Sequence, residues 1–270
     1  MTKAPHKKQP IGVFDSGIGG LTVANAINRY LPNEEIIYFG DTAHLPYGDK
    51  SADAIRYYCL KIVKFLLERD CKMIVIACNS ASSAAYNVLV DFFPGEAIFV
   101  NVVDPLVEAV ADNNFQKIGI IGTKATIRSK VYQRKLKEQQ PGLKVSAIAT
   151  PLLAPMIEEG YFHNRVSQVV IETYLSNEEF SDIEALLLAC THYPLIRKDI
   201  KNFLGKGVEV LDSTLFTVKN IEAKLLKQGL LNDEKNNTHQ FYVSDFTQSF
   251  EETTRLFYNE HLQLEHYAIW

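Results

Sequence analysis

A weak internal repeat constrains this chain more than any other feature. Ile11-Gly-Val-Phe-Asp-Ser16 recurs 107 residues later as Ile118-Gly-Ile-Ile-Gly-Thr123, and Ile74-Val-Ile-Ala-Cys-Asn79 recurs 112 residues later as Leu186-Leu-Leu-Ala-Cys-Thr191. Two matches at nearly equal offsets point to duplicated halves that fold alike. In each half one apolar run ends in Gly or Asp followed by a hydroxyl residue, and a second ends in Ala-Cys-polar-polar. The 270 residues suffice for two modest cores at roughly 150 residues per domain.

Between the repeats, short apolar runs alternate with amphipathic stretches. Ile11–Phe14, Ile36–Phe39, Met73–Ala77, Ala97–Val103, Ile118–Ile121, Val145–Ala149, Ala185–Ala189 and Val208–Leu211 read as buried strands. Leu21–Tyr30 reads as a helix. Ser51 reads as the cap of another, with Ile55, Cys59, Ile62 and Leu66 at helical spacing and an end near Asp70. The alternation predicts an α/β fold with largely parallel sheets. Ligands of such sheets bind beyond the carboxyl ends of the strands, so two facing halves present two cysteines to one interdomain cleft. The expected organisation is a flexible tail over 1–10, a first α/β domain over 11–101 plus 212–270, and a second over 102–211. The tail is read from its two prolines and its lack of an apolar core. The segment beyond Asp212 has no counterpart before Ile11 and is expected to return to the first domain.

Hydrophobic residues make up 47% of the chain and charged residues 22%, as in an ordinary globular protein. Unbroken apolar runs such as Met73–Cys78 are far shorter than the roughly 20 residues of a spanning helix, so no membrane partner is expected. A net charge of −4 argues against a nucleic-acid-coating surface. Four cysteines without a signal-peptide pattern in residues 1–10 read as reduced thiols in the cytoplasm.

Asp15-Ser-Gly-Ile-Gly-Gly-Leu21 is a glycine-rich turn from strand to helix. It lacks the spacing of phosphate loops, and Asp15 would repel phosphate. Either Asp15 and Ser16 cap the turn, or the Asp15 carboxylate holds or activates a neighbouring group. Gly40-Asp-Thr-Ala-His-Leu-Pro-Tyr-Gly48 is a loop after a strand, where Pro46 fixes a backbone able to offer N–H groups to a ligand. His44 has no second His or Cys at ligand spacing, so no metal site is expected.

Cys59 and Cys71 read as small core residues. Cys78 and Cys190 each stand where an apolar strand stops, in positions where a following helix's N-terminal dipole is expected to lower a thiol's pKa. A disulfide-exchange pair does not normally lie 112 residues apart. A single acyl nucleophile with His192 as base would leave Cys78 unexplained. Two thiols facing across a substrate suit removal of a proton from one face of a carbon and delivery to the other, the chemistry of a racemase or epimerase.

Five motifs in order, Asp15-Ser-Gly-Ile-Gly-Gly-Leu, Gly40-Asp-Thr-Ala-His-Leu-Pro-Tyr-Gly, Ala77-Cys-Asn-Ser-Ala, Gly122-Thr-Lys-Ala-Thr-Ile-Arg-Ser and Ala189-Cys-Thr-His-Tyr-Pro-Leu, closely resemble the bacterial glutamate racemase family. The resemblance runs from about Ile11 to Val218 and more loosely beyond. It implies an isomerase without cofactor that interconverts L- and D-glutamate for peptidoglycan, in two α/β domains related by pseudo-twofold symmetry. It implies Cys78 and Cys190 as acid/base residues, Asp15 beside Cys78, and Glu158 and His192 beside Cys190 as groups that tune or relay protons. Asp15, Ser16, Tyr47, Gly48, Asn79, Ser80, Thr123, Thr126, Thr191 and His192 match substrate-binding positions. Ser80 stands where threonine is commoner and Ala154 where a bulkier residue is usual. A homodimer fits the family. The alternatives are an aspartate racemase of the same superfamily, a non-catalytic amino-acid-binding module, and a thiol redox protein.

Overall fold

Strands that are apolar throughout must be covered on both faces, which forces helices to both sides of the sheet. The computed structural model describes residues 5–235, 238–246, 248–258 and 262–270. Its first sheet contains β1 (Ile11–Asp15), β2 (Ile36–Gly40), β3 (Met73–Ile76) and β4 (Ile98–Asn101). The second contains β5 (Lys117–Gly122), β6 (Lys144–Ala149), β7 (Ala185–Ala189) and β8 (Glu209–Asp212). Two further strands, β9 (Gln240–Val243) and β10 (Leu264–His266), complete the first sheet. The orders are β10-β9-β2-β1-β3-β4 and β6-β5-β7-β8, and every pairing is parallel.

The two four-stranded units share order and register. Ile11 stands opposite Met73 and Gly12 opposite Ile74, just as Ile118 stands opposite Ala185 and Gly119 opposite Leu186. The pairs Ile11–Ile36 and Ile118–Val145 correspond in the same way. β1, β2, β3 and β7 are fully buried, β5 is buried beyond Lys117, and the edge strand β6 is only partly covered.

Helix Ala52–Leu67 begins where the Ser51 hydroxyl accepts a hydrogen bond from the Ala54 N–H at 3.2 Å, satisfying one of the helix's orphan donors. It buries Ile55, Cys59, Ile62 and Leu66 against the first sheet. One apolar core extends from Ile11 and Val13 beneath β1 through Ile121 to Leu186 and Leu188 of β7, so the two units are packed into each other. Beyond β8, helix Thr214–Lys227 lies against helix Leu21–Tyr30. β9 then pairs with β2, and β10 with β9. These two strands were not expected from sequence. Among the described residues no helix is long and apolar enough to cross a membrane.

The amino-terminal segment differs from the expected solvated tail. Residues 1–4 lie outside the described residues, but Gln9 and Pro10 are buried. The reason is a buried ammonium group. Lys72, just before β3, pairs with buried Glu34 at 2.6 Å. It also donates to the carbonyls of Lys7 and, at 2.9 Å, of Leu230. The second Glu34 oxygen accepts from the Asn232 N–H at 2.9 Å. One ion pair thus fastens the start of the chain and the segment after helix Thr214–Lys227 to the first sheet, and burial lowers the Lys72 pKa. Lys72→Met would strand the Glu34 carboxylate in the interior and is expected to cost about 3–5 kcal/mol. Urea unfolding measures it, and a loss below about 1 kcal/mol would contradict the role assigned to this pair.

Candidate active site

The carboxyl ends of β1, β3, β5 and β7 converge on one cavity of about 260 Å³. The first unit contributes Ser16, Tyr47, Gly48, Cys78, Asn79 and Ser80; the second contributes Thr123, Glu158, Cys190, Thr191 and His192. Gly17, Leu45, Pro46, Ala154 and Pro155 also line it. Gly17, Leu45 and Pro46 lie within the motifs above and Ala154 departs from the family pattern, but none of the five is among the residues expected to bind substrate. A larger cleft of about 570 Å³, flanked by Ser83, Asp104 and Arg134, contains neither cysteine.

Close approach of the two units shapes the cavity. A Cβ on Gly19 would lie 2.3 Å from Cε1 of His192 and 2.6 Å from the Thr191 hydroxyl. Gly48 abuts Thr123 in the same way, with 2.9 Å to its Cβ. Only glycine lets these backbones come so near. The Ser80 and Thr123 hydroxyls add a hydrogen bond of 2.8 Å across the junction.

Cys78 caps helix Asn79–Phe92. Its sulfur accepts from the Ala81 N–H at 3.4 Å and lies 3.7 Å from the Ser16 hydroxyl. The expectation that the helix dipole lowers its pKa is overturned. Burial pushes the thiol well up, the Asp15 charge pushes it further, and the bonds from Ala81 and Ser16 do not compensate. Asp15 itself is buried behind the wall, its oxygens accepting from the N–H groups of Ser16 at 2.7 Å and Gly20 at 2.5 Å.

Cys190 has different neighbours and no regular helix directly after it; Thr191 and His192 intervene before the short turn Tyr193–Ile196. Its sulfur lies 3.6 Å from His192 Nδ1, and His192 Nε2 lies 2.7 Å from Glu158 Oε1. Burial opposes charge on this imidazole, but Cys190 and Glu158 outweigh it and hold the pKa well above the ordinary histidine value.

Asn79 Oδ1 accepts from the Tyr132 hydroxyl at 2.7 Å, which fixes the amide and leaves its buried Nδ2 without an acceptor among the described residues. The first N–H groups of the helix that Cys78 caps have no intrahelical acceptor either. Tyr47 turns its hydroxyl away from the cavity, donating to Asp41 at 2.6 Å. Asp15 and Thr126, expected among the substrate-binding residues, do not line the cavity. Thr126 is buried and bonds Thr123 at 3.1 Å and Ser80 at 3.4 Å, so it supports the wall from behind. The site as a whole combines two sulfurs, each with its own ionisable neighbour, and donors suited to a carboxylate.

Residues 11–221 match the family model for Asp/Glu/hydantoin racemases. The chain belongs to the Asp/Glu/hydantoin racemase family. Its curated relatives in that family include the glutamate racemase of Chlorobaculum parvum, 40% identical over 250 residues covering 92% of each chain. That of Geobacter metallireducens is 41% identical over 244 residues, or 89% of each. The crystal structure of glutamate racemase from Francisella tularensis in complex with D-glutamate superposes with a TM-score of 0.92 at 36% identity, covering 97% of this chain and 98% of that one. An aspartate racemase homologue from Pyrococcus horikoshii, 18% identical with a TM-score of 0.55, shares the fold. The family's two-domain α/β architecture is the one described above.

Two outcomes follow from the protonation of these groups. In the ligand-free protein, neutral and buried Cys78 is expected to react with iodoacetamide at pH 8 at least about tenfold more slowly than free cysteine; peptide mapping of the labelled chain checks it, and labelling at the free rate contradicts it. A folded pKa raised above the unfolded one makes His192 stabilising below about pH 6.5, a contribution lost as pH rises through the folded value. The stability gap between the wild type and His192→Asn should therefore narrow above about pH 6.5; a gap independent of pH contradicts the assignment.

Proposed function

We propose that the chain racemises glutamate with Cys78 and Cys190 as acid/base residues on opposite faces of the α-carbon. The observation that carries this reading is that two buried cysteines, equivalent in the internal repeat, face the same cavity. The substrate class is supported by relatives at about 40% identity named glutamate racemase, while an aspartate racemase from Picrophilus torridus and the homologue from Pyrococcus horikoshii are each 18% identical and share the fold.

The α-proton of an amino acid sits beside a carboxylate, so removing it loads a second negative charge onto an anionic group. The free Asn79 amide, the N–H groups at the start of helix Asn79–Phe92 and the hydroxyls of Ser16, Ser80 and Thr191 receive that charge. Tyr47, Gly48 and Thr123 complete the substrate enclosure. One sulfur enters as thiolate and takes the proton; the other enters as thiol and gives its own to the opposite face, which inverts the carbon. Asp15 raises the proton affinity of the Cys78 thiolate, making it the stronger base. His192, held by Glu158, exchanges a proton with Cys190 between turnovers. The product D-glutamate serves peptidoglycan synthesis, and the enzyme works in the cytoplasm, with a first domain of residues 11–101 plus 212–270 and a second of 102–211.

Circular-dichroism decay of pure D- and pure L-glutamate tests the reading. Cys78→Ser and Cys190→Ser should each lower kcat about a hundredfold to ten-thousandfold in both directions, and racemisation by either variant at the wild-type rate sinks the two-thiol mechanism. Aspartate should be a far poorer substrate. A kcat/KM for aspartate equal to or above that for glutamate would favour the aspartate reading.

A further inference from the structure

A chain of contacts runs from the surface to the cleft wall without passing through the acid/base groups. Asp41, which follows β2 and is fully buried, gathers three donors. The Tyr47 hydroxyl donates to it at 2.6 Å, the Ser244 hydroxyl at 2.7 Å and His44 Nδ1 at 2.9 Å. A buried carboxylate held by three donors has one orientation. Tyr47 is part of the cavity wall, and Gly48 next to it presses on Thr123 of the other unit.

The remaining two donors are held by the end of the chain. The His44 ring stacks on Tyr58 at 4.1 Å and meets the Trp270 edge at 4.4 Å. Trp270 in turn contacts Tyr58 at 5.3 Å and lies under the Lys61 ammonium at 5.5 Å. Ser244, just after β9, has its carbonyl 3.1 Å from His266 Nε2 in β10. Residues 264–270 therefore bear on Asp41 twice, through Ser244 and through His44. The stretch 42–49 between β2 and helix Ala52–Leu67 contains only two short turns, so little of its own backbone bonding fixes it.

We propose that Trp270, His44 and Asp41 are positioning residues for the cleft: Trp270 clamps His44, His44 and Ser244 orient Asp41, and Asp41 fixes Tyr47 and with it the wall formed by Leu45–Gly48. The proposal rests on the glutamate racemase reading for its kinetic arm only. Hydrogen–deuterium exchange of the ligand-free full chain over residues 41–50, with 185–190 as internal control, is independent of that reading. Trp270→Ala should speed exchange over 41–50 about tenfold and leave 185–190 unchanged. His44→Phe, which keeps the ring stack and removes the hydrogen bond, should do the same. Both should raise KM for D- and L-glutamate about tenfold while kcat changes less than about threefold, and Trp270→Phe should restore exchange and KM together. Unchanged exchange over 41–50 in Trp270→Ala, or in His44→Phe where the former does not fold, overturns the proposal. A lowered kcat at unchanged KM overturns it too. A wild type without racemase activity would fail the functional reading and leave the exchange experiment to decide this one.

Discussion

The cleft depends on how closely the Gly17–Gly20 turn of one unit lies on the Cys190–His192 segment of the other. At Gly19 the approach leaves no space for a single added carbon. That contact holds the imidazole of His192 beside Cys190 while Glu158 holds its far nitrogen. Ser16 and Cys78 line the same cavity from the first unit. Parallel sheets gather their polar chain ends at one edge, and two such edges brought together make a small cavity lined from both.

Duplication supplies two equal sulfurs, and their unlike neighbours make them chemically distinct. Cys78 has a fixed carboxylate behind it, itself pinned by two N–H groups, so its thiol is held neutral and its thiolate is strongly basic. Cys190 has a histidine that retains its proton. The two-thiol reaction proposed above runs in both directions and needs one group that gives a proton and one that takes it in each. Different environments for two copies of one residue meet that need.

Much of this was legible in the sequence because the repeat and the apolar runs are local signals. Strands such as Ala185–Ala189 are continuous buried stretches with polar residues directly after them, and the cysteines mark where they stop. β9 and β10 were not legible: Gln240–Val243 and Leu264–His266 are too short to show a period, and pairing with the edge of β2 makes them strands. The protonation of Cys78 could not be read either, since its position before a helix argues for a low pKa and only its burial beside Asp15 reverses the sign. Asp41 stood in a motif, but its link to Trp270 joins residues far apart in the chain. The first ten residues look like a tail because nothing local shows that Lys72 needs the Lys7 carbonyl.

The most direct test of two acids and bases on opposite faces is the fate of the α-hydrogen. D-glutamate is incubated with the enzyme in D2O and followed by mass spectrometry at low conversion. The account predicts that newly formed L-glutamate carries a solvent deuteron at the α-carbon while the remaining D-glutamate carries none, with the mirror result from L-glutamate. Deuterium appearing equally in substrate and product, or product retaining the original hydrogen, would mean that a single group removes and returns the proton and would contradict the account.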